Sequence, residues 1–299
     1  MEKGKADRGQ GITARLWDSS LIQNSASESL QIGQRSEMKG TITMKKLMIA
    51  AAAAFCATVS LAELASANIV GYTTTPIEGN KWYMIGTQFK GVGQGNSVIP
   101  VNQLCNVTGV DAVPFETRNN GLQIQVYNGS GYTTYFYISN ATGATGPCWT
   151  NSRRPLADSV TVNLGSAFWL KTPASVAANA SATIAGEVKT DATTASATVG
   201  ESEWTQVACP FPVDLTMGMI STEGLTPGTF ADRNNAPQIQ VYNGSGYTTY
   251  FYISDATEAT APCWTNSRRP LAETATVAAA GKGFWVKASM SGTLTFTMK

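Results

Sequence analysis

Histidine is absent from all 299 residues, and this excludes more chemistry than any single motif suggests. Without imidazole there is no Ser-His-Asp or Cys-His triad, no histidine general base and no histidine-containing zinc or iron site of the common kinds. Carboxylate, lysine, tyrosine or substrate-assisted catalysis remains. Charge is scarce as well: only 14% of residues are charged, and 21 Lys+Arg stand against 20 Asp+Glu for a net charge of +1. A protein that neutralises a polyphosphate backbone needs a basic surplus, so nucleic acid is not an expected partner. There is no Cys-x-x-Cys spacing and no recognisable cofactor motif, and no cofactor is expected.

The one long apolar run lies near the start. Residues 44–67 read MKKLMIAAAAAFCATVSLAELASA. Lys45 and Lys46 precede an uncharged, mostly apolar stretch from Leu47 to Ala62, and Ala65-Ser66-Ala67 supplies a small-x-small cleavage site, the pattern of a bacterial secretory signal peptide. The run is shorter than the roughly 18 to 20 residues that cross a bilayer and closes at Glu63, so no membrane span is expected after cleavage. Cys56 follows the bulky Phe55 rather than a small residue and belongs to the apolar part of the signal, not to a lipid anchor. Residues 1–43 are polar and unperiodic. They read as a misassigned start, with translation beginning at Met44 or Met38, or as a disordered extension. The expected location is secreted, periplasmic or at the cell surface.

Beyond Ala67, 232 residues remain, with 13 of the 21 basic and 14 of the 20 acidic residues. They also hold Cys105, Cys148, Cys209 and Cys263. An even cysteine count in an exported chain favours disulfides, and of three possible pairings, 105 with 148 and 209 with 263 keeps each bridge inside one repeat.

The repeat dominates this part of the chain. QIQVYNGSGYTTYFYIS runs from Gln123 to Ser139 and again, letter for letter, from Gln238 to Ser254, and PCWTNSRRPLA recurs at Pro147 and Pro262. AFWLK at Ala167 answers GFWVK at Gly283, and KWYMIGTQF from Lys81 is matched more loosely by EWTQVACPF from Glu203. The segments between Phe89 and Phe115 and between Phe211 and Phe230 differ in length and composition. Alternating Gln, Ile, Gln, Val, then Asn-Gly-Ser-Gly, then a run of Tyr, Phe and Thr predicts a β-hairpin. Its loop register decides whether Ile124 shares a face with Tyr135 or with Phe136. No eleven-residue window carries a capped helical period. The expectation is an all-β protein of two tandem homologous units, sandwich or barrel-like, spanning residues 68–190 and 191–299.

The candidate contact residues lie in the duplicated centre. Tyr132, Tyr135 and Trp149, copied as Tyr247, Tyr250 and Trp264, offer rings that stack on sugars or on another protein; the alternative is that such rings line the core. Trp82, Trp169, Trp204 and Trp285 sit inside apolar strands and read as core. Arg153-Arg154 and Arg268-Arg269 are placed to grip a carboxylate or sulfate, or to form loop ion pairs with Asp158 and Glu273. Asp111, Glu116, Asp158, Asp214 and Asp232 are scattered and make no glycosidase pair. The glycine-rich GVGQGN from Gly91 leads into Ile99-Pro100 rather than a helix, so it is no phosphate loop. Ser130 has no base partner. Asn106, Asn140 and Asn179 open Asn-x-Ser/Thr triplets that matter only in a eukaryotic secretory route.

NIVGYTTT after the leader, KWYMIG, QIQVYNGSGYTTYFYI and GFWVK with a closing TLTF strand together resemble a group of uncharacterised exported bacterial repeat proteins. The resemblance implies secretion and a repeat fold over nearly all of residues 68–299, and carries no activity or site residues. The resulting expectation is a non-enzymatic secreted or cell-surface protein that binds an extracellular glycan. A self-associating surface layer or filament, in which the partner is another copy of the chain, is the rival, and a carboxylate-dependent glycosidase ranks third.

Overall fold

The computed structural model describes residues 70–91, 98–189, 194–201, 203–289 and 292–298. The leader, the segment before it, Cys56, the repeat boundary at 190–193 and residues 92–97 of the glycine-rich segment lie outside the described residues. Strands are the dominant regular element, with helix confined, among the described residues, to three short 3-10 turns. The protein is all-β. No helix among the described residues is long and apolar enough to cross a membrane.

The first repeat contributes β1 (Val70–Pro76), β2 (Trp82–Gly86), β3 (Val98–Pro100), β4 (Asn106–Thr108), β5 (Gln123–Tyr127), β6 (Tyr132–Ile138), β7 (Cys148–Thr150), β8 (Thr161–Asn163), β9 (Ala167–Lys171) and β10 (Ser181–Glu187). The second contributes β11 (Thr194–Val199), β12 (Trp204–Ala208), β13 (Leu215–Thr216), β14 (Gln238–Tyr242), β15 (Tyr247–Ile253), β16 (Cys263–Thr265), β17 (Thr276–Ala278), β18 (Gly283–Lys287) and β19 (Gly292–Thr297). Five strands in the order β2-β9-β5-β6-β7 form one antiparallel sheet, and β12-β18-β14-β15-β16 repeat that order. The first and last strands of each repeat pair with each other, β1 with β10 and β11 with β19.

Register follows from the turn. Asn128 Oδ1 accepts from the backbone N–H groups of Ser130 and Gly131, at 3.2 and 2.9 Å, and Gly129 takes φ +95°, a conformation glycine adopts without strain. The four-residue loop sets Tyr127 opposite Tyr132 and so places Ile124 opposite Tyr135. Ile124, Tyr135, Phe168 and Leu170 therefore share the inner face, where they pack with Ile184 and Ala182 of β10 and Val162 of β8 in one core. The second repeat builds a matching core from Ile239, Tyr252, Phe284, Val286, Leu294 and Phe296.

The described residues form one compact unit, and the repeats meet along a reciprocal seam. Gly86 N donates to Gly281 O at 2.9 Å, and Ala208 N donates to Gly165 O at 2.8 Å. Ile85 bridges Lys282 while Val207 bridges Ser166. Each contact has its counterpart with the two repeats exchanged, the pattern of a two-fold interface written into one chain. Small residues permit the approach: a Cβ on Gly86 would lie 2.4 Å from Ala208 Cβ, and one on Gly283 2.4 Å from Ala167 Cβ.

The expected disulfides are corrected: Cys105, Cys148, Cys209 and Cys263 are free thiols. Cys209 lies in the main core of the second repeat, whereas Cys263 packs in a separate cluster with Ala236, Ile253 and Ala256, so the sulfurs serve different apolar groups. Burial pushes the Cys105 thiol up to about 12 and that of Cys209 up to about 11.

Candidate functional site

The two faces of each large sheet differ in kind. Alternation along β2, β5, β6 and β9 sends Ile85, Ile124, Tyr135, Phe168 and Leu170 inward, and leaves Trp82, Met84, Gln125, Tyr127, Tyr132 and Trp169 on the opposite face. That outer face carries the rings that the core does not use. Trp82 and Trp169 meet edge to face at 6.1 Å, and Trp169 meets Tyr242 of the second repeat at 5.1 Å. Tyr242 contacts Tyr247 at 5.5 Å, and Tyr127 contacts both Tyr132 at 5.5 Å and Trp285 at 5.2 Å. Tyr132 and Trp169 line one cleft together and so join the two sets. Seven rings thus form an array that spans both repeats.

A shallow cleft of about 280 Å³ opens in this array, lined by Trp82, Gln125, Tyr132, Trp169 and Tyr242. Tyr242 comes from the second repeat, so the first repeat alone does not complete it. Trp82 is 37% and Tyr132 42% exposed, while Trp169 is 8% exposed and forms the back. Burial raises the Tyr132 hydroxyl above its ordinary value, so the phenol is neutral at physiological pH. Lys171 Nζ sits 5.7 Å over the Trp82 ring. The cleft therefore presents flat apolar faces, one primary amide, a phenol and a cation at its rim. These groups suit a ligand with alternating C–H faces and hydroxyls, which stack on rings and pair with an amide that both donates and accepts.

The sequence-based candidates divide under this geometry. Tyr132 and Tyr247 stand exposed on the outer face, as a contact residue requires. Tyr135, Trp149 and Trp264 are buried at 7%, 5% and 6% exposure, and Tyr250 packs against the second core. Tyr135, Trp149 and Trp264 are turned inward, and Tyr250 is half-buried on the same side, so the sheet register takes all four away from the outer face. Trp82 reverses the opposite way: it belongs to the outer face rather than the core. Trp169 is buried, as the sequence suggests, at the back of the cleft, whereas the outward placing of Trp82 and Gln125 is not readable from an apolar strand alone, which does not reveal which side is covered. The signal was nonetheless present, since Gln123 and Gln125 alternate with Ile124 and Val126 and mark a second, more polar face.

The arginines do not reach the cleft. Arg118 and Arg153 lie over the Phe115 ring at 4.1 and 4.8 Å, and Arg233 and Arg268 lie over Phe230 at 4.6 and 5.0 Å. Arg153 pairs with Glu116 at 2.9 Å rather than with Asp158, which accepts from Asn102. Arg154 and Arg269 are exposed, and no arginine lines the aromatic cleft. The Glu116 carboxyl is held below its ordinary value, first by a backbone N–H of its own residue and then by the Asn140 amide, with Arg153 adding to both. In the second copy Ala231 replaces Glu116, while Asp255 takes the place of Asn140 and accepts from Phe230 N at 2.6 Å. One carboxylate thus stands near each guanidinium stack, supplied from a different position.

Among the described residues no group of three His, Cys, Asp or Glu side chains is arranged to hold a metal ion. No family model matches the chain, and neither the curated proteins nor the solved structures give a match.

Proposed function

We propose that the protein is an exported, non-enzymatic glycan-binding protein of the cell surface or surrounding matrix, with two homologous β units cooperating in one binding face. One observation carries the reading: the cleft of Trp82, Gln125, Tyr132, Trp169 and Tyr242, in which the exposed rings of Trp82 and Tyr132 stand beside the buried Trp169 and a tyrosine of the other repeat. Export rests on the leader at residues 44–67. The aromatic cleft replaces the buried Tyr135, Trp149 and Trp264, and the stacked arginines, as the point of contact. The rim cation Lys171 is compatible with neutral or weakly acidic sugars.

Screening on a glycan array identifies a ligand, and Trp82→Ala, Tyr132→Ala and Tyr242→Ala are each expected to weaken it at least tenfold, about 1.4 kcal/mol. Tyr242→Ala is the most discriminating, because it removes a ring supplied by the other repeat. A blank array for the wild-type protein, or affinity unchanged in all three variants, rejects the reading.

Self-association is supported by a different feature. β1 is an edge strand, and its Val70 and Tyr72 are 61% and 71% exposed. This reading expects light scattering to grow with concentration and to be suppressed by Tyr72→Lys.

A further inference from the structure

We infer that the outer face carries a second sugar site, built by Trp204, Gln240, Tyr247 and Trp285 of the second repeat with Tyr127 of the first, so that each chain holds two saccharide segments. The ligand class rests on the reading of the first cleft, whereas the second site stands on the two-fold relation between the repeats. Trp204 corresponds to Trp82, Gln240 to Gln125, Tyr247 to Tyr132, Trp285 to Trp169 and Tyr127 to Tyr242. All five residue types are the same. The tryptophan is the telling one, because KWYMIGTQF and EWTQVACPF share only that residue and the closing phenylalanine. Phe89 and Phe211 are core residues at 1% and 0% exposure, but Trp204 is half-buried on β12, an edge strand. Core packing accounts for the phenylalanine and not for the tryptophan.

The register places these side chains as it places their counterparts. Trp285 stands opposite Gln240, as Trp169 stands opposite Gln125, and Tyr242 faces Tyr247 as Tyr127 faces Tyr132. The ring that crosses the seam is reciprocal: Tyr127 meets Trp285 at 5.2 Å and 76°, where Tyr242 meets Trp169 at 5.1 Å and 80°. Tyr127 and Trp204 line one cleft of about 530 Å³, as Tyr242 and Trp82 together line the first. Tyr247 is 44% exposed, matching the 42% of Tyr132. The second site thus offers the same flat rings, phenol and primary amide to a pyranose.

The two rims differ in charge. Lys171 Nζ sits over Trp82, whereas its counterpart Lys287 donates to Asn234 O at 3.0 Å, and Glu203 lines the cleft at Trp204. The sites therefore bind with unequal affinity, and the second disfavours acidic sugars. A polysaccharide has a direction, and a two-fold axis reverses it, so a chain seated in the first site runs the wrong way for the second. The face takes two segments in opposite directions rather than one along its length. Two sites on one chain also raise apparent affinity for a repetitive polymer.

The test titrates the full chain with trisaccharides of β-1,4-linked glucose, xylose and N-acetylglucosamine, by calorimetry, alongside Trp82→Ala, Trp204→Ala and Gln240→Leu. Gln240→Leu keeps the bulk of the side chain and removes the amide, so it serves where Trp204→Ala fails to fold. Two binding events per wild-type chain are expected, one weakened at least tenfold in Trp204→Ala and in Gln240→Leu, the other in Trp82→Ala. A single event, weakened in Trp82→Ala and unchanged in the other two variants, overturns the second site and leaves the first standing. A single event weakened in all three variants means one ligand lying across both sites, and this also overturns the proposal. Binding weakened in Trp204→Ala and Gln240→Leu but untouched in Trp82→Ala overturns the reading of the first cleft and leaves the second site standing. Absence of binding by all three probes at millimolar concentration overturns both.

Discussion

At Phe115 a single ring holds two cations, Arg118 at 4.1 Å and Arg153 at 4.8 Å, with Glu116 closing the arrangement on Arg153. The guanidinium groups stack because their weakly hydrated planes match a ring face, and the carboxylate offsets their mutual repulsion. Since the folded-state value of Glu116 is lowered from 4.5, its contribution to stability is present above the ordinary carboxylate value and is lost as pH falls through the lowered one. Glu116→Gln is therefore expected to show a smaller drop in melting temperature than wild type between pH 6 and pH 3, measured by circular dichroism. The thiols give a second prediction at this scale. Burial raises Cys105 to about 12 and Cys209 to about 11, so neither is a thiolate at pH 8. Ellman's reagent should modify Cys148 and Cys263 first in the native protein, and all four thiols beyond residue 67 at similar rates in guanidinium. The sequence made the arginine pairs conspicuous but not their partners, because Phe115 and Phe230 stand far from Arg153 and Arg268 along the chain and Glu116 has Ala231 as its counterpart in the second copy.

The hairpin is the element whose details decide the most. Its strands and turn are legible in the sequence as alternation followed by Asn-Gly-Ser-Gly, but the faces depend on the loop closing from Asn128 to Gly131. A slip of one residue would expose Tyr135 and bury Phe136. In the register observed, Tyr137 and Trp149 meet at 5.4 Å and Tyr252 and Trp264 at 5.3 Å beneath the sheet. Trp149→Ala is thus expected to destabilise the fold by about 3 to 5 kcal/mol, as large-to-small core substitutions do, and to leave sugar affinity unchanged in the molecules that remain folded. Chemical denaturation followed with a binding assay on the folded fraction separates the two effects. Trp82→Ala should do the reverse, because its ring lies on the open face of an edge strand.

For the molecule as a whole, the seam between the repeats is the decisive contact. The reciprocal pairs Tyr127 with Trp285 and Tyr242 with Trp169 hold rings of one repeat against the other, and Gly86 and Gly283 let the strands approach. Gly86→Val sets a side chain against Ala208 and the Lys282 carbonyl, so it is expected to part the repeats. Differential scanning calorimetry should show one transition for wild type and two, or a broadened one, for this variant, with binding weakened although residue 86 lines neither cleft. The duplication, the β class and the hairpins follow from sequence alone, since alternation, turn residues and repeated words are local properties of the chain. Which rings are free, and that a tyrosine of one repeat completes the cleft of the other, follow only from the folded structure. A strand has two faces of nearly equal local character, and only the sheet or core packed against one of them determines which face is left to the outside.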